Sequence, residues 1–212
     1  MRKIVIFGTG DLALLACLSL REELGREVAA FTVERGFVTA ARFCDADVVP
    51  FDLLASRFPA GSCELLVALG PGERNRLRER IFLAAQAMNY EFATYIHPSV
   101  RVHSSVRIGR NCLVFESVSL QPYAQLGDNV VVRPLSYIGH HVTLAAHGFV
   151  GPGAKLLGHS QTGERVLVGA GAVLGPGVAV GADSVISANA AALESLPARS
   201  VFPPGGRSRK EE

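Results

Sequence analysis

Divided into sixes from Gly109, the middle of the chain reads GRNCLV, FESVSL, QPYAQL, GDNVVV, RPLSYI, GHHVTL, AAHGFV and GPGAKL, closing on Leu156. Each unit ends on an aliphatic residue. The same register runs outward, from Ile96, Val102 and Ile108 on one side through Val168, Leu174 and Val180 to Ile186 on the other, with Thr162 its one departure. Two residues before most of these positions stands a small or short aliphatic side chain, such as Cys112, Ala124, Ser136, Ala154 or Ala172. Glycine often follows, as at Gly109, Gly127, Gly139, Gly151 and Gly169. This period matches neither a helical turn nor strand alternation. Hexapeptides instead build a parallel β-helix: each unit gives one short strand and one corner, and three units close a triangular coil. The aliphatic residue points into the prism, the small one fits its tight interior, and the glycine is expected to serve a corner of positive φ. Residues 96–186 then hold about five coils, stacked at roughly the 4.8 Å spacing of paired strands.

Upstream the pattern changes. Residues 2–7 read as a buried strand, followed by the turn Gly8-Thr9-Gly10-Asp11 and an apolar helix from about Leu12 to Leu24. A strand over Glu27–Val33, a helix near Asp52–Phe58, a strand over Leu65–Leu69, a long helix to about Asn89 and a last strand over Phe92–Ile96 complete an alternation that predicts a small, Rossmann-like parallel sheet. The fold class expected is therefore α/β plus all-β, divided into a sheet domain over 1–95, a β-helix over 96–190 and an extension over 191–212. His97-Pro98-Ser99 marks the hand-over. The charged run Glu73–Arg80 reads as a solvated helix face. Past Ile186 the register stops; Ala188–Leu196 reads as a short helix, and the charged tail Arg207–Glu212 is expected to be disordered.

Length and composition set bounds. With 212 residues and 49% hydrophobic content the chain has material for one or two packed domains. No apolar run is long enough for a membrane span, and the start passes directly into a strand without a signal-peptide core, so a cytoplasmic protein is expected. The four cysteines, Cys17, Cys44, Cys63 and Cys112, lack metal-ligand spacing and read as reduced, packed thiols. A net charge of +2 gives no argument for nucleic acid.

Two places carry candidate chemistry. A glycine turn that opens a helix can seat a phosphate on free backbone N–H groups, which makes Gly8, Thr9, Gly10 and Asp11 candidates. The dinucleotide fingerprint is broken at Ala13, so NAD is not expected. Glu34 and Arg35, at the end of the second strand, would lie beside that turn, where a ribose hydroxyl or phosphate could be met. The second place is histidine-rich: His140, His141, His147 and His159 fall in the middle coils, and the coil length predicts Tyr123, His141 and His159 in one column at a corner, with His140 beside it. No carboxylate or thiolate joins them at ligand spacing, so no metal is assigned. Direct attack by a substrate amine or hydroxyl needs only one base and one oxyanion donor.

Several segments resemble the bacterial sugar acyltransferases of the sialic acid O-acetyltransferase and bacillosamine N-acetyltransferase-like group. They are Ile6–Asp11, Val67–Gly70 with Asn75–Arg78, Tyr95–Ser99, Phe115-Glu116, Gln121–Tyr123, Leu126–Val130 and Ile138–His141. The resemblance implies a left-handed coil, a homotrimer with active sites between subunits, and transfer of an acetyl or other acyl group from acetyl-CoA or another acyl-CoA to a sugar, often nucleotide-linked and held by the N-terminal domain. His140 matches the family's general base and Gly158 its oxyanion donor, while Phe149, Ala170 and Ala188 match the acyl-CoA groove. Where many relatives follow the base with Glu or Asp, this chain has His141; Glu116, reaching across the trimer cleft, is the carboxylate expected in its place. A non-catalytic trimeric scaffold or sugar-nucleotide-binding protein is the alternative. A nucleotidyltransferase is disfavoured, because its N-terminal half would need about twice this length.

Overall fold

The computed structural model describes residues 2–205 and the backbone of 209–210. An open sheet comes first. Its strands are β1 (Lys3–Phe7), β2 (Val28–Val33), β3 (Arg42–Phe43), β4 (Ala46–Pro50), β5 (Cys63–Val67) and β6 (Glu91–Phe92), in the order β3-β4-β2-β1-β5-β6. All neighbours are parallel except β3 against β4. Helices α1 (Asp11–Glu22), α2 (Leu54–Arg57) and α3 (Arg76–Ala87) connect them. Sequence reading missed the pair β3 and β4. Two residues of positive φ, Cys44 and Asp45, close that hairpin without the glycine that signals a tight turn.

Alternation explains why both sheet faces are apolar. Ile4, Ile6, Phe31 and Leu66 pack with Ala13, Ala16 and Leu20 of α1, whereas Val5, Phe7, Leu65 and Val67 pack with Ile81, Phe82 and Ala85 of α3. The first of these clusters continues into Tyr95, Leu113, Phe115 and Val131, so α1 lies between the sheet and one side of the β-helix.

The prism has three faces of parallel two-residue strands. Face one carries Tyr95–Ile96, Leu113–Val114, Val131–Val132, Phe149–Val150, Leu167–Val168 and Val185–Ile186. Face two runs from Ser119–Leu120 to Ala191–Ala192, and face three from Arg107–Ile108 to Ala179–Val180. The register residues form one continuous core with the small residues two positions earlier. Thr162 is buried in it with the rest. Val102 is not: it is 44% exposed and belongs to no strand, so face two begins one coil further on, at Ser119–Leu120.

The corner glycines work differently from the expectation. From Ile108 to Ile186, positive φ recurs three residues after each register residue, at Gly153, Gly171 and Gly177 but otherwise at non-glycine positions such as Asn111, Tyr123, Leu135, His141 and His159. A left-handed residue other than glycine costs about 1–2 kcal/mol. The stacked coils hold these residues in place. Gly127, Gly151 and Gly169 are required for space: an added Cβ would stand 2.7, 2.6 and 2.4 Å from the backbone N of Ala146, Ala170 and Ala188 in the next coil.

The C-terminal expectation is also corrected. Ala191–Ala192 is a strand on Val173–Leu174, not part of a helix, and Ala192 keeps the register. The last coil is two residues short, with Val180 bridging to Leu196 and Ile186 pairing with Phe202. Because Pro197 and the two-residue gap break the hexad, sequence reading lost the coil there. Residues 209–210 of the tail pair antiparallel with Ser200–Val201, so that part is ordered; residues 206–208 and 211–212 lie outside the described residues.

Candidate active site

Three corners separate the chemistry. The corner between faces two and three carries Tyr123, His140, His141, Gly158 and His159. Positive φ at Tyr123, His141 and His159 turns these side chains outward in register, and their rings form the predicted column. Tyr123 and His141 stack at 4.7 Å and 21°, and His141 and His159 at 4.7 Å and 13°. His140 stands edge-on to the last two, at 5.4 and 5.0 Å. His140 Nδ1 lies 3.2 Å from His141 Nδ1, so the column supports the ring.

Gly158, one coil on, explains the ring's position. A methyl placed there would stand 2.5 Å from His140 Nε2 and 2.6 Å from Cε1, so the imidazole lies in the space that the missing side chain leaves. Among the described residues the Gly158 N–H has no hydrogen-bond acceptor. A base and an unpaired donor therefore share one exposed corner. The ring nitrogens of His140, His141 and His159 lie within 4.8 Å of one another. The face-to-face stack of two of these rings aims their in-plane lone pairs side by side, not at one point. His147 is not part of the cluster. It is buried at the corner between faces three and one, accepting from Asn129 Nδ2 at 2.9 Å through Nδ1, and burial pushes its pKa down.

That corner docks α3, and it corrects the reading of the charged run as solvated at Arg78 and Glu79, while Glu73, Arg74, Arg76 and Arg80 stay exposed. Arg78 is fully buried. It donates to the carbonyls of Asn129, His147 and Gly148 and to Asn75 Oδ1, at distances of 2.5 to 3.1 Å. Glu79 pairs with Arg165 at 2.7 Å and Arg76 with Asp183 at 2.9 Å. A buried cation satisfied by backbone carbonyls leaves no periodic trace in sequence.

The corner between faces one and two carries Glu116, Ala170 and Ala188 in one column. Glu116 and His140 of the same chain are thus separated by the whole of face two, on the order of 15–20 Å at the rise of an extended strand. Phe149 does not join the two alanines. It points from face one toward the sheet and packs against the cluster that holds α1.

There it lines a cleft of about 380 Å³ with Gly10, Asp11, Leu12, Leu15, Ala68, Leu69, Gly70 and Arg133. Of the turn residues, Gly10 and Asp11 face this space. Gly8 does not line it: at φ +125°, a Cβ there would meet the Ala68 carbonyl at 2.9 Å, so it is needed where the chain leaving β1 passes close to the chain leaving β5. Thr9 does not line it either, and Glu34 and Arg35 are turned elsewhere. Glu34 accepts two hydrogen bonds from Arg80 at 2.8 and 2.9 Å, which hold its pKa down, and Arg35 pairs with Asp52 at 2.5 Å. Arg133 was missed by sequence reading, since a lone arginine after a hexad aliphatic carries no signal. The four cysteines are free, and burial pushes Cys17 to about 11 and Cys112 to about 12, far from a thiolate nucleophile.

No family model and no curated protein matches the sequence. Solved structures do match. Perosamine N-acetyltransferase (PerB) from Caulobacter crescentus, in complex with CoA and GDP-perosamine, is 30% identical with TM-score 0.85, over 95% of this chain and 93% of that one. The acetyltransferase domain of PglB from Neisseria gonorrhoeae is 25% identical with TM-score 0.84, over 95% and 96%. WeeI from Acinetobacter baumannii shares the fold at 18% identity and TM-score 0.85. The hexad prism thus falls in the class of left-handed β-helix acyltransferases. Within that class the chain belongs to the bacterial sugar acyltransferase family, and it is an enzyme. Among the described residues no helix is long and apolar enough to cross a membrane.

Proposed function

We propose that this enzyme transfers an acetyl or other acyl group from its CoA thioester to an amino or hydroxyl group of a nucleotide-linked sugar. The observation that carries the reading is His140 lying over Gly158, whose N–H is unpaired. The acceptor nitrogen or oxygen attacks the thioester carbonyl carbon while His140 takes its proton. Negative charge gathers on the carbonyl oxygen, and the Gly158 N–H donates to it. Collapse of the tetrahedral adduct breaks the C–S bond, and the imidazolium returns the proton to the departing CoA sulfur. The complex of the 30% identical relative with CoA and a nucleotide sugar supports both co-substrates.

The division of labour follows the three units. Residues 1–95 form a Rossmann-like domain that holds the acceptor through Gly10 and Asp11, residues 96–190 catalyse, and residues 191–212 extend the prism. Ala170 and Ala188 line the acyl-CoA groove; Phe149 is reassigned to the acceptor cleft. The working unit is a homotrimer with its sites between subunits, which lets a neighbour's Glu116 reach His140 and fix its tautomer. Unchanged turnover and pH profile in Glu116→Gln would dismiss that role. Free cysteines suit a reducing compartment, the cytoplasm. The test of the whole reading is release of free CoA from acetyl-CoA in the presence of amino- and hydroxy-sugar nucleotides. Sugar-dependent release by the wild type supports it; no release with any acceptor supports a scaffold.

A further inference from the structure

We propose that Arg133 anchors the diphosphate of a nucleotide-linked acceptor, so that the β-helix, and not the N-terminal turn alone, recognises the substrate. This rests on the reading of the cleft as the acceptor site. Arg133 follows the face-one strand Val131–Val132 and lines the cleft opposite Gly10, Asp11 and Gly70. Its guanidinium lies 4.6 Å over the Phe115 ring, and its Nη1 is buried without a hydrogen-bond partner. Other arginines show what is missing: Arg26, Arg35, Arg80, Arg110 and Arg165 each pair with a carboxylate. Among the described residues Arg133 has no such pair, and it is the one cation on the cleft wall. Glu116 acts on it only through its field, with no ion pair or hydrogen bond between them. A half-buried charge without a counter-ion is costly, and an arriving anion relieves that cost.

The geometry favours phosphate. A guanidinium fork matches two oxygens of a phosphate, and stacking on Phe115 fixes its plane. Side chains at Gly10 and Gly70 would meet nothing within 4 Å, so a ligand can approach the backbone opposite the arginine. The cleft volume of about 380 Å³ lies in the range of small-molecule sites.

The test titrates inorganic pyrophosphate, GDP and UDP into the full chain by calorimetry, for wild type, Arg133→Gln and Arg133→Lys. Melting curves serve as the check on folding. Wild type is expected to bind at least one nucleoside diphosphate, Arg133→Gln about ten- to a hundredfold more weakly, and Arg133→Lys in between, with KM for acetyl-CoA unchanged. If Arg133→Gln does not fold, Arg133→Lys carries the test with a loss of about three- to tenfold, because charge remains but the fork is gone. Equal binding by wild type and a folded variant overturns the role of Arg133 and leaves the acceptor reading standing. Failure of wild type to bind any of the three probes overturns both.

Discussion

Replacing Gly158 with alanine adds one methyl group, and the structure says where it goes. The new Cβ would stand 2.5 Å from His140 Nε2, whereas carbon contacts settle at about 3.5–4.0 Å. The imidazole must therefore retreat by about 1 Å, out of the slot between Gly158 and the His141–His159 stack. A misplacement of that size costs about a hundredfold in turnover, about 2.7 kcal/mol. The backbone N–H is untouched, so the loss reports on the position of the base. Stability should barely move, because Gly158 does not sit at a positive φ and the methyl faces the open corner. The assay is CoA release from acetyl-CoA with a saturating acceptor, beside a melting curve. The double variant His140→Ala/Gly158→Ala should be no slower than His140→Ala alone, since both act through one ring. Turnover of Gly158→Ala within threefold of wild type would refute the argument.

Three predictions concern the scaffold. Arg78→Leu removes donors from three buried carbonyls and should cost about 3–5 kcal/mol, seen as a melting temperature lower by more than about 6 °C. Ser160 is buried at a small-residue position with an unpaired Oγ, where Ala124, Ala154 and Ala172 stand in other coils; Ser160→Ala should stabilise by about 1 kcal/mol in denaturant melts. His147 is held neutral by burial, its folded pKa below the ordinary 6.5. The unfolded chain then binds the proton first, so this contribution is complete above about pH 6.5 and is lost as pH falls through that value toward the folded pKa. His147→Gln should flatten the melting temperature between about pH 7 and 5 relative to wild type.

The hexads made the prism legible because every coil repeats one demand, an aliphatic residue inside, and the same spacing set Tyr123, His141 and His159 in a column. What the repeat concealed was the reason for its glycines. Gly127 and Gly151 answer to the backbone of the next coil, a contact between residues far apart in sequence, while the positive φ that glycine usually signals fell on Tyr123, Leu135, His141, His147 and His159 as well as on Gly153, Gly171 and Gly177. Ala192 and Leu196 were lost to the short last coil. Arg78 and Arg133 were illegible for a common reason: what each meets, buried carbonyls in one case and the cleft beside Gly10 and Asp11 in the other, lies on a different part of the fold. Arg78 looked like one charge among many in a helix, and Arg133 like an ordinary corner residue. Phe149 packs toward α1 and lines the cleft with Gly10 and Arg133, a neighbourhood its register position does not reveal, because the hexad does not say which face the N-terminal sheet covers.

The most direct test of the account is the rate of CoA release from acetyl-CoA by wild type and by His140→Ala, each presented with amino- and hydroxy-sugar nucleotides. The account predicts acceptor-dependent release by wild type and a fall of about 10²- to 10⁴-fold in the variant, with melting temperature and oligomeric state unchanged. Acceptor-dependent release at the wild-type rate by His140→Ala would contradict it.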